Sequence, residues 1–262
     1  MQDIEGQAPG GSTVAVVICA AGLSKRMGGR KKEYLSLPHI ESTGKDSPAT
    51  KLPLTVLGAA VSAFASCPQI GPIVITVPPD DDHGEAAACL PPELRLPDSD
   101  GQERIVFVPG GRTRRTSVHN ALTRLKSYDP SHVLIHDGAR PWVKRDLIER
   151  IIDAVKKYNA VIPALPLVET PKELGPAEPD SPDTKFIKRH IRREALCAAQ
   201  TPQGFALTEI LAAHEKARER EERENFEYTD DAEVWGEFVG DVAVIPGDPE
   251  NRKITFPEDL AC

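Results

Sequence analysis

The chain has 262 residues, a formal net charge of −8, 40% hydrophobic residues and 27% charged residues. This composition is typical of a globular protein, and the acidic balance argues against nucleic acid as a partner, because nucleic-acid binding needs an extended basic face. No apolar run is long enough to cross a bilayer, so no membrane association is expected, and five cysteines without CxxC spacing favour a reducing, cytoplasmic location over a disulfide framework or a zinc site.

Short runs rich in valine and isoleucine alternate with segments of helical period along the chain. Residues 1–13 are polar and are predicted to form a flexible leader before a single domain at 14–262. Because the strands are almost continuously apolar, we predict a doubly wound, mostly parallel, Rossmann-like α/β sheet that binds ligands at the carboxyl ends of its strands. The predicted strands are 14–19, 73–77, 105–108, 133–136, 161–164 and 242–245. The predicted helices lie near 54–66, 115–126, 145–157, 207–222 and 230–238.

Three segments do not follow this alternation. Residues 38–53 and 91–103 are polar with Gly and Pro and are interpreted as surface loops. Residues 171–183, with several prolines and acidic side chains, are interpreted as an excursion off the sheet. The charge-dense stretch 215–224 is interpreted as a solvated helix face.

The segment after the first strand combines small residues with a cluster of positive charge. Ala20, Ala21 and Gly22 allow a sharp turn whose backbone N–H groups can cradle a phosphate. Neither GxxxxGK[ST] nor GxGxxG is present, which argues against a P-loop NTPase and a dinucleotide-binding enzyme. A strand end followed by a solvated basic loop is the simpler alternative. The basic side chains of this segment are Lys25, Arg26, Arg30, Lys31 and Lys32.

Four later stretches strengthen the interpretation as an anion site. "GGRTRRTSV" at 110–118 repeats the pattern of glycines and basic side chains after a strand, and "HDGARP" at 136–141 places Asp137 at the carboxyl end of a buried strand. "AQTPQGF" at 199–205 and "NRKITFPEDL" at 251–260 are interpreted as polar turns that hold Thr201 and Lys253. Each stretch alone has an equally good structural interpretation, since Asp137 or Ser117 could simply cap a helix.

Taken together, the ordered stretches resemble the 2-C-methyl-D-erythritol 4-phosphate cytidylyltransferase family. "AAGLSKRM", "KKEYL", "GGRTRRTSV", "IHDGARP", "PLVETPK", "TPQGF", "TDDAEV" and "NRKITFPEDL" occur in the family's order between residues 14 and 260. The resemblance implies a fold of the nucleotide-diphospho-sugar transferase type with a protruding dimerisation arm at about 166–195. It also implies a homodimer that uses Mg²⁺ to join 2-C-methyl-D-erythritol 4-phosphate to CTP with release of pyrophosphate.

The same resemblance implies roles for individual residues. Arg26 and Lys32 would stabilise the transition state, and Arg193 and Lys253 would position the acceptor phosphate. Asp137 would also bind Mg²⁺. The implied CTP site comprises Ala20, Ala21, Gly22, Leu23, Ser24, Gly110, Gly111, Arg114, Ser117 and Gly138. The implied substrate site comprises Asp137, Arg140, Thr170 and Thr201.

The sequence departs from the family pattern at two positions. Ser24 stands where the family usually has glycine and Lys31 where it usually has proline, so the choice of Lys32 over Lys31 depends on the register of "KEYL". Arg189 and Arg192 remain alternatives to Arg193 because they lie close to it in the chain.

Three other functions remain open. A cytidylyltransferase acting on ribitol 5-phosphate would share the CTP-binding turn and the chemistry. A catalytically silent nucleotide-binding module is suggested by the two departures and the long loops. Nucleic-acid binding through "GGRTRRTS" is the weakest, because the acidic chain supplies no extended basic face.

Overall fold

The computed structural model describes residues 14–22, 24, 27–29, 31–38, 54–81, 83–97, 103–178, 180–224 and 226–260. The leader predicted at 1–13 and most of the loop predicted at 38–53 therefore lie outside the described residues. Within the described part of the chain, no helix is both long and apolar enough to cross a membrane.

An eight-stranded sheet forms the centre of the molecule, in the order β3-β2-β1-β4-β9-β5-β10 with β8 paired to β5. The β1–β2, β1–β4, β2–β3 and β5–β10 pairs are parallel, whereas β9 is antiparallel to both of its neighbours. The mostly parallel α/β architecture predicted from the apolar runs is thus confirmed. The strands are Val14–Cys19 (β1), Ile70–Val77 (β2), Ile105–Pro109 (β3), His132–Asp137 (β4), Ala160–Pro166 (β5), Lys172–Glu178 (β6), Ser181–His190 (β7), Cys197–Ala199 (β8), Gln203–Ala206 (β9) and Ala243–Pro246 (β10).

Helices cover both faces of this sheet and divide the core into two clusters. Alternate residues of β1 point to opposite faces, with Val14, Val16 and Ile18 in one cluster and Ala15 and Val17 in the other. The helices α1, α2 and α4 pack against the first face, and α3, α5 and α6 against the second. The helices are Val56–Ala65 (α1), Gly84–Ala88 (α2), Arg114–Leu125 (α3), Arg145–Tyr158 (α4), Leu207–Glu224 (α5) and Asp231–Phe238 (α6).

The strand β9 is the largest difference from the sequence prediction, which took "AQTPQGF" as a polar turn. Gln203–Ala206 is instead a buried strand between β4 and β5. Gly204 lets α4 approach closely, since a Cβ there would lie 3.1 Å from Ile151 and Val155 side-chain atoms. The buried Gln203 side chain is hydrogen-bonded at the start of α6, where its Nε2 donates to the Asp230 carboxylate and its Oε1 accepts the Ala232 N–H. A four-residue strand that contains Gln and Gly lacks the run or alternation of apolar residues by which a strand is predicted from sequence.

The hairpin of β6 and β7 forms a separate two-stranded sheet, in the region interpreted as an excursion. Most of its residues are exposed. The charged stretch 215–224 is also mostly exposed, as predicted, but Glu221 is an exception because its Oε2 lies 2.6 Å from Nε of the buried Arg115.

The chain order places a topological switch point beside β1. From β1 the chain proceeds to β2 and β3 on one side, and then crosses to β4 on the other side. Cys19 and Asp137, the last residues of β1 and β4, are paired in register. In open α/β sheets, ligands bind outside the carboxyl ends of the strands at such a point.

Candidate functional site

A cleft of about 810 Å³ opens at the carboxyl ends of the central strands. Four segments that are distant in sequence supply its walls: the turn after β1, the turn from β3 into α3, the end of β4, and the stretch around Lys253. The predicted site residues that line it are Ala21, Gly22, Ser24, Lys32, Gly110, Gly111, Arg114, Ser117, Asp137 and Lys253.

The turn after β1 is attached to the sheet by the backbone of Ala20, whose N–H lies 3.0 Å from the Thr76 carbonyl oxygen. Ala20 itself is fully buried and does not line the cleft, although Ala21 and Gly22 do. Leu23 and Arg26, predicted respectively for CTP binding and catalysis, lie outside the described residues. Their roles stay predictions.

Ser24 adopts the backbone conformation that explains why a glycine is usual at this position. Its φ is +47°, in the left-handed region, which costs a non-glycine residue roughly 1–2 kcal/mol. Two hydrogen bonds of about 3.3 Å offset this cost: the Lys32 backbone N–H donates to the Ser24 hydroxyl, and the hydroxyl donates to Glu33 Oε2. The serine therefore links the turn to the short 3-10 helix Lys32–Tyr34.

Lys31 provides a second link at the other departure from the family pattern. Its φ of −65° is the value that proline would fix, so the backbone shape suits either residue. The Lys31 ammonium donates to the Gly22 carbonyl at 2.7 Å and lies 3.8 Å from Glu33 Oε2. Both departures thus tie the turn after β1 to the segment that carries Lys32.

Substitution of Ser24 should separate the conformational cost from the hydrogen bonds. Ser24→Ala and Ser24→Gly both remove the two hydrogen bonds, but only the alanine retains the left-handed cost. We expect the alanine variant to be about 1 kcal/mol less stable than the glycine variant, allowing for the greater freedom of unfolded glycine. Urea unfolding of both variants measures this, and equal stability would contradict the expectation.

Lys32, rather than Lys31, faces the cleft. Its side chain lines the wall although the residue is only 9% exposed, whereas Lys31 is turned back onto Gly22. The register chosen from "KEYL" therefore agrees with this placement. A buried ammonium at a cleft wall is well placed to neutralise phosphate charge, because water screens it little.

The turn from β3 into α3 brings backbone and hydroxyl groups to the opposite wall. Gly110 must be glycine, since a Cβ there would lie 2.3 Å from the Cβ of Ala21 in the first turn. The Gly111 N–H donates to the Ser117 hydroxyl at 3.0 Å, and that hydroxyl donates to the Thr113 carbonyl. The two turns are thus in direct contact.

Asp137 is the centre of the site's electrostatics. Its Oδ2 lies 3.0 Å from Lys253 Nζ and 3.3 Å from Arg140 Nε, and its Oδ1 lies 4.0 Å from Arg114 Nε. Burial alone would raise the pKa of Asp137, but Lys253, Arg114 and Arg140 together hold it well below its ordinary value. The carboxylate is therefore ionised at neutral pH.

Thr201 lies behind Asp137 and does not line the cleft, which argues against the direct substrate contact implied by the resemblance. Burial lowers the pKa of His136 to about 4, so its ring is neutral and can donate from Nε2 to the Arg140 carbonyl. The buried Thr201 hydroxyl can then donate to His136 Nδ1 while it accepts the Asp137 backbone N–H, each at 3.1 Å. Thr201 therefore supports Asp137.

Arg140 and Gly138 also lie behind the lining. The Arg140 guanidinium donates to the Asn251 carbonyl at 2.8 Å and to Asp137, which ties the end of β4 to the segment preceding Lys253. Gly138 packs against β1, where a Cβ would come within 3.0 Å of the Cys19 carbonyl. These two residues hold the site's framework together.

Arg193 and Thr170 lie on the arm and do not line the cleft of their own chain. Both are exposed, and the Arg193 guanidinium donates to the Val168 carbonyl at 2.9 Å, two residues before Thr170. The structure thus brings Arg193 against the segment that precedes Thr170, at the base of the hairpin.

Sequence reasoning did not select several polar residues of the site. Glu33 serves in the sequence only to set the register of Lys32, and no role is predicted for Arg112 within its basic stretch. A buried carboxylate behind the wall, Asp231, belongs to the quoted "TDDAEV" but received no role. Within a sequence, a charged residue that will be buried looks the same as one that will be solvated. The unselected polar lining residues are Glu33, Thr76, Arg112, Thr113, Glu227 and Thr255.

The candidate metal ligand is a single carboxylate. Among the described residues, no group of three His, Cys, Asp or Glu side chains is arranged to enclose a metal. Mg²⁺ often takes one or two carboxylates and fills its remaining positions with substrate phosphates and water. An ionised Asp137 in the lining of the cleft fits that habit.

Comparison with known proteins decides the family. The family model described as IspD: 2-C-methyl-D-erythritol 4-phosphate cytidylyltransferase matches residues 14–262. The chain belongs to this family. The cytidylyltransferase from Thermus thermophilus has a crystal structure with a TM-score of 0.66 and 29% identity, over 95% of this chain and 96% of the other. The 4-diphosphocytidyl-2C-methyl-D-erythritol synthase of Anaerococcus prevotii gives a TM-score of 0.69 and 27% identity, over 96% and 94%.

The curated relatives of this IspD-family chain are longer than it is. The "Bifunctional enzyme IspD/IspF" of Brucella abortus is 38% identical over 207 residues, which are 78% of this chain and 48% of the relative. The chain spans about half the length of the curated relatives it matches.

Proposed function

We propose that the chain is a cytidylyltransferase that joins 2-C-methyl-D-erythritol 4-phosphate to CTP. The observation that carries the proposal is the cleft at the switch point, where two small-residue turns meet, Lys32 lines the wall, and Lys253, Arg140 and Arg114 surround Asp137. Family membership supports both the nucleotide and the acceptor.

On the nucleotide side, the triphosphate would lie against the turn after β1. The backbone there is free of bulky side chains at Ala21 and Gly22, and Lys32 stands beside it. Because pyrophosphate leaves carrying negative charge, Lys32 and the predicted Arg26 would stabilise charge that grows as the bond to the leaving group breaks. The turn from β3 into α3 would enclose the nucleoside.

On the acceptor side, the nucleophile needs no protein base. A phosphate monoester has a second pKa of about 6, so its oxygen is already largely ionised at neutral pH. An acceptor phosphate oxygen forms a bond to the α-phosphorus of CTP, while the bond from that phosphorus to the oxygen bridging the β-phosphate breaks. The obstacle is the approach of one anion to another, and Lys253 would hold the acceptor phosphate in line.

Asp137 would hold Mg²⁺, together with oxygens of the nucleotide phosphates. The metal would supply Lewis-acid neutralisation of the phosphate charge. The chain's own contribution is to keep the carboxylate ionised, through Lys253, Arg114 and Arg140, and to fix its backbone through Thr201. Lys253 Nζ lies 3.0 Å from Asp137 Oδ2, so it would stand beside the phosphates that the metal binds.

The arm at about 166–195 would complete the active site of a second subunit in a homodimer. Several large apolar side chains of this segment are exposed, with Val168 80% and Phe186 65% exposed, and exposed apolar surface is typical of interaction sites. Arg193 and Thr170, which do not reach the cleft of their own chain, would then meet the acceptor phosphate in the partner's cleft. We also propose that residues 14–262 form one catalytic domain and that the protein is located in the cytoplasm.

Turnover with a panel of substrates tests the function. With CTP, Mg²⁺ and 2-C-methyl-D-erythritol 4-phosphate, we expect release of pyrophosphate and formation of the cytidine diphosphate ester, and little product with UTP or ATP. The reaction without acceptor should release no pyrophosphate, and a preparation of Lys32→Ala serves as the control for contaminating enzymes.

Ribitol 5-phosphate, in direct competition with the branched acceptor, distinguishes the nearest alternative. A preference for ribitol 5-phosphate would replace the proposed acceptor but keep the chemistry. Tight CTP binding with no product from either acceptor would instead indicate a silent nucleotide-binding module and overturn the proposal.

A further inference from the structure

A buried charge cluster lies behind the Arg114 wall of the cleft. The Arg114 Nη1 atom is 2.7 Å from Asp231 Oδ2, and the other carboxylate oxygen, Oδ1, is 3.1 Å from His214 Nε2. The Asp231 side chain is 1% exposed and the His214 side chain 0%, whereas the Arg114 side chain is 25% exposed and lines the cleft. The Arg114 side chain of the cleft wall is therefore held by a carboxylate in the protein interior.

The start of α3 is fixed from the same direction by the next residue. The buried Arg115 donates from Nη1 to the His214 carbonyl at 3.1 Å and pairs through Nε with Glu221. Successive residues of α3 thus contact α6 and α5, and the position of Arg114 depends on both helices.

Asp231 is itself placed by bonds at the start of α6. The preceding residue, Asp230, caps the helix by accepting the Glu233 N–H at 2.9 Å, and it also accepts from Gln203 Nε2 at 2.8 Å. The Gln203 Oε1 atom in turn accepts the Ala232 N–H. The antiparallel strand β9 therefore sets where the Asp231 carboxylate lies.

A carboxylate this deeply buried has a large desolvation cost, which a purely apolar contact would avoid. Burial raises the pKa of Asp231, but Arg114 and His214 outweigh burial and lower it overall. The ionised form is kept, and its nearest cation is a residue of the cleft.

We propose that Asp231 is a positioning residue that orients the Arg114 guanidinium toward the bound nucleotide, with His214 supporting Asp231. This inference rests on the proposed function, since it gives Arg114 a nucleotide to meet. An arginine side chain that is already fixed loses less conformational freedom when it binds an anion, so the contact is preorganised.

Direct CTP binding by Asp231→Asn tests the inference independently of turnover. Asparagine keeps the shape of the side chain but removes the charge that holds Arg114. We expect CTP affinity to fall about 10- to 100-fold, the loss that misplacing a binding group can cause. The KM for CTP should rise in parallel, with a smaller change in the KM for the acceptor. Calorimetric titration of wild type and variant measures the affinity.

Two comparisons separate positioning from general damage. In an Arg114→Ala background, Asp231→Asn should cause no further loss of CTP affinity, because the side chain it acts through is gone. Trp235→Phe, on the same helix, removes part of a buried ring that stacks on Phe205 and leaves Arg114 unaltered. It should lower stability without lowering CTP affinity.

Several results would overturn the inference. Equal CTP affinity in wild type and Asp231→Asn, or an undiminished loss in the Arg114→Ala background, would overturn it alone. A wild-type chain that does not bind CTP would overturn the proposed function as well. If Asp231→Asn does not fold, His214→Gln should weaken CTP binding in the same direction by a smaller factor, and an unchanged affinity there counts against the inference.

Discussion

Replacement of Lys32 with alanine is expected to lower kcat by about 10²–10³-fold, the usual cost of removing one preorganised donor from a transition state. Lys32 is 9% exposed yet lines the cleft beside the turn after β1, so water screens its charge poorly. Because the charge on the leaving pyrophosphate develops in the transition state, the KM for CTP should change much less than kcat. Initial rates of pyrophosphate release over a range of CTP concentrations measure both.

Lys31→Ala is the matched control for this experiment. It removes the same ammonium from the adjacent position, but Lys31 contacts the Gly22 carbonyl rather than lining the cleft. Its kcat should fall far less than that of Lys32→Ala, with a modest rise in the KM for CTP as the turn loosens. The opposite order of effects would show that the catalytic lysine is Lys31.

The regular part of the fold could be predicted from the sequence because it follows one physical rule. Strands buried on both faces, such as β1, need continuous apolar side chains, and such runs are visible without any knowledge of their partners. The antiparallel β9 was not predicted because a Gln and a Gly occupy it. These two residues are explained only by their contacts in the folded protein: Gln203 bonds to the start of α6, and Gly204 allows the close approach of α4.

The residues that line the cleft were predicted better than the buried residues that hold them in place. Gly110 and Asp137 stand at the carboxyl ends of strands and Lys253 stands in a recognisable turn, and the switch point brings their segments together. Asp231 and Glu33 could not be chosen, because their burial depends on packing between segments far apart in the chain. Thr201 was predicted to bind substrate, but its hydroxyl lies behind the cleft, hydrogen-bonded to His136 and the Asp137 backbone.

Replacement of Arg193 with alanine is expected to lower kcat/KM for the acceptor by about 10²–10³-fold, with little change in CTP binding. Arg193 is exposed at the base of the arm and does not line the cleft of its own chain. Its proposed contact is the acceptor phosphate in the partner's cleft. Titration with CTP and initial rates with varied acceptor separate the two effects.

Mixed dimers test whether Arg193 acts across the interface. We expect a dimer of one Lys32→Ala chain and one Arg193→Ala chain, purified through two different tags, to recover about half of the wild-type activity. In such a dimer, the site in the cleft of the Lys32→Ala chain receives the arm of the Arg193→Ala chain and carries both defects. The other site combines the intact cleft of the Arg193→Ala chain with the intact arm of the Lys32→Ala chain.

The control is a dimer of Lys32→Ala with Lys253→Ala. Lys32 and Lys253 line the same cleft of one chain, so each site of this dimer lacks one of them and activity should stay low. Given low activity of the Arg193→Ala homodimer, recovery by the first mixture and not by the second requires that the cleft and the arm of one active site come from different chains. Full activity of that homodimer would place Arg193 outside the reaction. An inactive first mixture, with both chains shown to be present in a dimer, would place Arg193 at the site of its own chain.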